Sequence, residues 1–197
     1  MKSKILLFIA ALGFAVMLSS CGKVPQTEIN AATAAIDSVK LVGADLYVPD
    51  VYKALVDSMN SVNQIVEANK SKLFKSYGKA RQKLVVIEKM TVDAKVKTEE
   101  RKIELKKETE SLIAEVKTLV DGNKVLMTRA PRGKDGGMAL QSIKSDIENI
   151  KSSITESDSL LAGGKILDAN NQIKAAKEKA LSIKTELEGV LKKTGRR

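Results

Sequence analysis

Histidine and tryptophan are absent from the 197-residue chain, and cysteine occurs only once, at position 21. Without histidine, the chain has no histidine-based catalytic triad, no histidine metal site and no side chain whose ordinary pKa lies near neutrality. A single cysteine excludes an internal disulfide, so the fold depends on packing alone. Aromatic residues are few, with three Phe and three Tyr. A core of Ile, Leu, Val, Ala and Met is typical of helices packed on helices and unusual for a β-sandwich.

The first 21 residues have the features of an export signal. Lys2 and Lys4 form a basic head, and residues 5–18 form an apolar run. The run is shorter than the roughly 20 residues that a membrane-spanning helix needs. Its length is instead typical of the apolar region of a signal peptide. Residues 18–21, Leu-Ser-Ser-Cys, resemble the bacterial lipobox.

The lipobox resemblance implies a diacylglycerol thioether on Cys21, cleavage between Ser20 and Cys21, and acylation of the new amino group. We therefore predict that residues 1–20 are a lipoprotein signal peptide and that Cys21 attaches the protein to a membrane, since two or three acyl chains bind far better than one. Two alternatives remain: an uncleaved anchor with Cys21 as a thiol, and an ordinary secretory signal with a chance cysteine. In bacteria that follow the usual sorting rule, Gly22 favours the periplasmic face of the outer membrane over the inner membrane.

Apolar residues repeat at helical spacing after a short tether at residues 21–26. Positions 29, 32, 36 and 39, followed by 51, 55, 59, 62 and 66, predict two amphipathic helices that form an antiparallel hairpin. Gly43 is suited to cap the first helix at its C-terminus, and Pro49 to begin the second. The same pattern continues at Tyr77, Ala80, Leu84 and Ile87, with Val85 and Val86 predicted to widen the apolar stripe.

A long helix is predicted next, because neither Gly nor Pro occurs between Lys79 and Asp121. Its middle, residues 93–111, is mostly charged, and Val96, Ile103 and Leu105 are the only bulky apolar residues there. We interpret this part as a thinly packed, solvated helix face; a charged partner surface is the alternative. Leu112, Val116 and Leu119 restore the stripe before the predicted end at residues 121–122.

The second half of the chain contains one clear break, at residues 131–137, where Pro and three Gly predict a flexible loop. The loop is basic, but it lacks the spacing of a phosphate-binding loop; contact with lipid phosphate is the alternative to a plain connection. Residues 138–193 then predict a second helical hairpin, with Gly163 and Gly164 at its turn and a basic tail at 194–197. Its apolar seam has alternating steps of three and four residues: Leu140, Ile143, Ile147, Ile150, Ile154, Ser157 and Leu161, then Ile166, Ala169, Ile173, Ala176, Ala180, Ile183, Leu187 and Val190.

One part of the chain resembles a known family. Residues 31–36, residues 42–49 and Ala54 resemble uncharacterised bacterial envelope proteins that have an Ala-rich first helix, a Gly-Ala turn and a Tyr-small-Pro start to the second helix. The resemblance covers roughly residues 26–85 and implies a helical fold and an envelope location, without an established activity. The family usually has Ala where this chain has Val48, and the peptidoglycan-binding domain of some members is not recognisable here.

These patterns together predict an all-α fold. Antiparallel helical hairpins form a bundle or a tetratricopeptide-like array with one long central helix. The predicted parts after the tether are a hairpin plus long helix at residues 27–130, the loop at 131–137 and the second hairpin at 138–193.

The predicted function is that of a lipid-anchored, non-enzymatic envelope lipoprotein that acts as a helical scaffold or protein-interaction module. No catalytic, metal-binding or cofactor-binding residue is predicted, and the carboxylates lie on Lys-rich helix faces without an acid–base pair. The alternative is a binder of acidic lipid, lipopolysaccharide or peptidoglycan, because removal of Lys2 and Lys4 leaves 32 basic and 24 acidic residues, a net charge of +8. Against this alternative, the basic residues are interleaved with acidic residues rather than massed in one segment. Export and the scarcity of stacking aromatics argue against nucleic-acid binding, and the oligomeric state is left open.

Overall fold

The computed structural model describes residues 23–131 and 134–195, and every regular element within these ranges is a helix. The all-α prediction is confirmed. We number the helices in chain order as α1 Gln26–Leu41, α2 Ala44–Tyr47, α3 Pro49–Lys70, α4 Gly78–Arg129, α5 Lys134–Ala162 and α6 Ile166–Lys193.

The chain divides into two compact units, and the division lies inside the long helix α4. The first unit extends to Arg101 and the second begins at Lys102. The first therefore contains α1, α2, α3 and the start of α4, whereas the second contains the rest of α4 with α5 and α6. This differs from the boundary predicted at residues 131–137, because an uninterrupted helix contributes packing residues to both cores.

The first unit has a core of small and aliphatic side chains from three helices. α1 and α3 form the predicted antiparallel hairpin, and the first part of α4 completes the unit. The ion pair between Glu28 and Arg81 joins the starts of α1 and α4, so these two helices run in the same direction. The buried apolar residues are Ala32, Ile36, Val39, Ala44, Leu55, Met59, Val62, Val66, Tyr77, Ala80, Leu84, Ile87 and Ala94.

The turn between α1 and α3 is built as the sequence predicts. Gly43 has a φ of 86°, in the left-handed region, and its N–H donates to the Lys40 carbonyl at 2.7 Å. The short helix α2 follows, and the Tyr47 ring lies over Gly43, where a Cβ would come within 3.2 Å of the ring carbon Cδ2. Pro49 is the first residue of α3, as predicted. Gly43 is therefore required both for its backbone conformation and for the close approach of Tyr47.

Replacing Gly43 with Ala is expected to destabilise the protein by about 1–2 kcal/mol, the cost of a left-handed conformation for a residue with a Cβ. Gly122→Ala is the matched control, because Gly122 lies inside α4 with open space around it. That substitution is expected to stabilise by about 0.5–1 kcal/mol, since Ala loses less backbone entropy in a helix. Thermal unfolding followed by circular dichroism measures both, and equal effects of the two substitutions would contradict the assignment of the turn.

The second unit is a three-helix bundle around an Ile-rich seam. Lys174 pairs with Glu108 at 2.9 Å and Lys177 with Glu115 at 2.7 Å, so α4 and α6 run in the same direction with α5 antiparallel to them. Its core residues are Ile113, Val116, Val120, Ala130, Ile143, Ile147, Ile150, Ile154, Ile173, Ala176, Ala180, Ile183 and Leu187. The predicted seam is buried from Ile143 to Ser157 and from Ala169 to Leu187.

The end of that seam differs from the prediction. Leu191 is buried and Val190 is 37% exposed. A strict alternation of three and four residues has a period of 3.5, whereas a straight α-helix has 3.6 residues per turn. Over the length of α6 the buried face therefore moves by one position.

The middle of α4 buries polar and small residues that an apolar pattern does not identify. Val96 and Ile103 are both more than half exposed, and only Leu105 of the three bulky apolar residues is buried. The inward face instead contains Thr98 and Thr109, together with Thr91 and Ala94. Each threonine hydroxyl donates to a backbone carbonyl three or four residues earlier, so its polar atom is satisfied without solvent.

Three further predictions, two on the long helix and one on the loop after it, are corrected by the structure. Val85 and Val86 are about half exposed and do not widen the buried stripe. Gly122 does not end α4, which continues to Arg129 because Asn123 and Leu126 still face the second unit. The predicted loop at residues 131–137 is shorter, since α5 begins at Lys134.

Two asparagines lie inside the second unit where α4 and α6 are adjacent. The Asn170 side-chain N–H donates to the Thr109 hydroxyl at 2.9 Å. The Asn123 side-chain N–H donates to the Ala180 carbonyl at 2.8 Å, and the Asn123 Oδ1 atom is buried without a hydrogen-bond partner. The core of the second unit therefore contains specific polar contacts between parallel helices.

Candidate functional site

The predicted lipid-attachment and cleavage site is formed by Ser20 and Cys21. Both residues lie outside the described residues, as do residues 1–19 and Gly22. The lipid-attachment and cleavage predictions therefore stay predictions. The structure does show where the chain that follows residues 1–22 contacts the first unit. Among the described residues, no helix is long and apolar enough to cross a membrane.

Arg81 fixes the beginning of the described chain onto the first unit. Its Nη2 atom donates to the Lys23 carbonyl at 3.3 Å, and its Nε atom donates to Glu28 Oε1 at 3.3 Å. Val24 packs against the first core and Pro25 is buried. Position 21 is two residues before Lys23, a reach of about 7 Å at full extension. A lipid on Cys21 would therefore lie close to the start of α1.

A groove begins at this same arginine and runs between α1 and α4. Its volume is about 260 Å³, and its walls are formed by Glu28, Ala31, Ala32 and Ala35 of α1 and by Arg81, Leu84, Val85 and Glu88 of α4. The space exists because three alanines, on one face of α1, stand opposite longer aliphatic side chains. Charged residues lie at both ends, Glu28 and Arg81 at one and Glu88 at the other.

The lining of the groove is mostly apolar. Its floor is aliphatic, and its charged groups are an ion pair at one end and a single carboxylate at the other. Its volume is slightly below the range of about 300–1,000 Å³ that is usual for small-molecule sites. Within the described ranges, no group of His, Cys, Asp and Glu is arranged to hold a metal ion. The groove is therefore mainly an apolar surface with charged groups at its ends.

The connection between α3 and α4 is a second unusual feature of the first unit. It lies at the end of the unit where α1 begins. Leu73 and Phe74 are 91% and 87% exposed, whereas Tyr77, three residues later, is buried in the core. Residues 68–87 include six basic and no acidic residues. In this segment the basic residues are massed, contrary to the interleaving expected along the chain. A search for acid-free windows around an apolar pair would have identified the loop from the sequence.

The second unit carries a small charge network on its surface. The hydrogen bond from Lys124 lowers the pKa of Asp121 below its ordinary value, and the bond from Lys151 does the same for the pKa of Glu148. Each lysine also acts on the carboxylate of the other pair, which links α4 to α5. In the first unit, the hydrogen bond from Lys97 to Asp93 raises the pKa of Lys97. These exposed pairs contribute to the surface potential of the helices that carry them.

Comparison with known proteins gives the chain no established relatives. No family model, no curated protein and no solved structure matches it. The resemblance of residues 26–85 to an envelope-protein family therefore stays a prediction.

Proposed function

We propose that the protein is a lipid-anchored, non-enzymatic cell-envelope lipoprotein and that it acts as a helical scaffold for another envelope protein. The observation that supports this most is the attachment of Lys23 to Arg81. It brings the chain that follows Cys21 to the end of the α1–α4 groove, so a lipid anchor would hold this groove near the membrane surface. The proposed location is the periplasmic face of the outer membrane.

The partner that fits the groove is a helix with a stripe of aliphatic side chains and one basic residue. The aliphatic stripe would contact Ala31, Ala35, Leu84 and Val85. The basic residue would lie opposite Glu88, which is exposed at the far end of the groove. Alanines permit a close approach of helix backbones, which increases the number of van der Waals contacts.

Photocrosslinking in intact cells tests this surface with neighbouring positions as controls. A photoreactive residue at Ala31 or Val85 is expected to crosslink to one partner protein. The same residue at Ala34 or Val86 is expected to crosslink at least severalfold less. Val85 and Val86 are almost equally exposed, at 51% and 53%, but only Val85 lines the groove. The comparison therefore separates the groove from general exposure.

Glu88→Lys provides a second readout of the same contact. If the partner places a basic residue there, like charges would face each other and the Ala31 crosslink should fall severalfold, without a change in helical content. Equal crosslinking at all four positions, or none at any, would contradict the groove as the partner surface.

A second candidate function is the binding of anionic envelope surfaces. The specific observation that favours it is the acid-free segment at residues 68–87, which concentrates positive charge in one part of the first unit. Net charge alone would attract an anionic surface to the whole protein, whereas this segment would attract it to one part of the first unit.

A further inference from the structure

The loop at residues 71–77 displays two large apolar side chains next to a buried tyrosine. Leu73 and Phe74 are almost fully exposed, and Phe74 is the only Phe that follows the predicted signal peptide. Tyr77 is 1% exposed and fixes the loop to the core just before α4 begins. In water, this arrangement leaves apolar area exposed that the fold does not use.

Basic residues are concentrated next to this apolar tip in the sequence. Lys72 and Lys75 flank the pair directly, Lys70 ends α3, and Lys79 lies in the first turn of α4. Lys70 pairs with Glu67 at 2.6 Å, but the next acidic residue after Glu67 is Glu88. An apolar tip with lysines on both sides of it in the sequence matches the interface of a bilayer that contains acidic lipids, where apolar side chains enter the acyl boundary and basic ones meet headgroups.

The topology places this loop at the same end of the first unit as the start of the described chain. α1 and α4 both begin there, α3 ends there, and Arg81 of α4 contacts both Lys23 and Glu28. A lipid on Cys21 and the loop would therefore approach a membrane from the same side.

We propose that the loop at residues 71–77, together with Lys79 of α4, docks on an acidic lipid surface, with Leu73 and Phe74 inserted at the interface and Lys72, Lys75 and Lys79 against the headgroups. The orientation part of the proposal rests on the proposed lipid anchor. The loop adds a second contact that stops the first unit from swinging freely about Cys21. It also determines which way the α1–α4 groove faces.

The expected contributions are large enough to measure. Each lysine near an acidic surface changes partitioning by about fivefold, equivalent to about 1 kcal/mol, so three should change it on the order of a hundredfold. Each apolar side chain that leaves water contributes about tenfold or more. The lysine contribution should weaken with salt, whereas that of Leu73 and Phe74 should not.

Tryptophan fluorescence of the full-length protein tests insertion directly, because the chain contains no tryptophan of its own. Phe74→Trp in the protein reconstituted into vesicles with about a third anionic lipid should emit at shorter wavelength and be quenched by brominated acyl chains. Leu46→Trp is the control, since Leu46 is also exposed (64%) but lies at the opposite end of the first unit. Its emission should stay that of a residue in water. Equal quenching of both, or of neither, would overturn the proposal.

Vesicle binding of a protein that begins at Lys23 separates the loop from the anchor. This shortened protein retains every described residue, and circular dichroism checks that it folds. It should bind anionic vesicles, and Lys72, Lys75 and Lys79 changed together to Gln should weaken binding on the order of a hundredfold. Lys40, Lys53 and Lys95 changed to Gln give the same net charge away from the loop and should reduce binding much less.

The remaining outcomes decide between this proposal and its competitors. Equal losses with the two triple variants would show a general charge effect and overturn the loop as the site. Self-association that Leu73→Ser and Phe74→Ser abolish, without vesicle binding, would assign the loop to a second copy of the chain instead. If Phe74→Trp is quenched while lipid labelling of Cys21 is absent, the loop is the membrane contact and the anchor proposal alone is wrong. If the shortened protein does not fold, the two tryptophan variants of the full-length protein decide.

Discussion

Replacing Ile147 with Asp is expected to destabilise the second unit by about 3–5 kcal/mol. Ile147 is 2% exposed at the centre of the α5 seam and belongs to the same core as Ile143 and Ile150. A carboxylate at this position would lose its hydration and gain no partner, while the apolar contacts of the isoleucine would also be lost. An effect of this size is a large part of the total stability of an ordinary domain.

Denaturation followed by circular dichroism measures this effect. Because each unit has its own core, we expect the transition of the second unit to move while the helical signal of the first unit remains. Asn149→Asp is the matched control, since it introduces the same side chain two residues away on the solvent face of α5, and it should change stability by less than about 0.5 kcal/mol. Equal stability of the two variants would show that Ile147 is not buried in the protein.

Replacing Cys21 with Ser is expected to abolish lipid labelling completely. A hydroxyl cannot form the thioether that the lipobox resemblance implies, and without it the signal peptide should not be removed by the lipoprotein peptidase. Labelling with a radioactive or clickable fatty acid measures the first effect, and the mass of the purified protein measures the second.

Ser20→Ala serves as the control for Cys21→Ser. Alanine is also a small residue, so the peptidase should still reach the backbone beside Cys21, and both labelling and cleavage should be close to normal. An acylated, processed protein from the Cys21→Ser variant would contradict the lipoprotein hypothesis, whatever the outcome for the groove and the loop.

The helices could be predicted from the sequence where the buried face is aliphatic. From Ile143 to Ile154 and from Ile173 to Leu187, the apolar period alone identifies the residues that the structure buries, whereas Leu161 and Ile166, near the turn, are only partly buried. The same rule was wrong in the middle of α4, because Thr98 and Thr109 count as polar in a pattern although their hydroxyls bond their own helix. Val96 and Ile103 show the complementary limit, since both are more than half exposed and a bulky apolar residue does not reveal whether another helix lies against it.

The candidate site was only partly predictable. Cys21 is identified by a local motif, and the acid-free segment at residues 68–87 is visible in the sequence once it is sought. The groove is not, because Ala31 and Val85 are more than 50 residues apart and become neighbours only when α1 and α4 run side by side. The contact of Arg81 with Lys23 depends on that same tertiary arrangement.

The buried Asn123 has a consequence for how the second unit assembles. A heptad seam repeats every seven residues, so α6 could in principle slip along α4 by two turns and still bury apolar side chains. Asn123 reaches the Ala180 carbonyl because the alanine side chain leaves room, whereas a shift of seven residues would bring the amide to Ile173 or Leu187. Its Oδ1 atom already lacks a partner, so a slipped pairing would leave the whole amide unsatisfied. Asn123 thus favours the observed alignment of two otherwise repetitive helices.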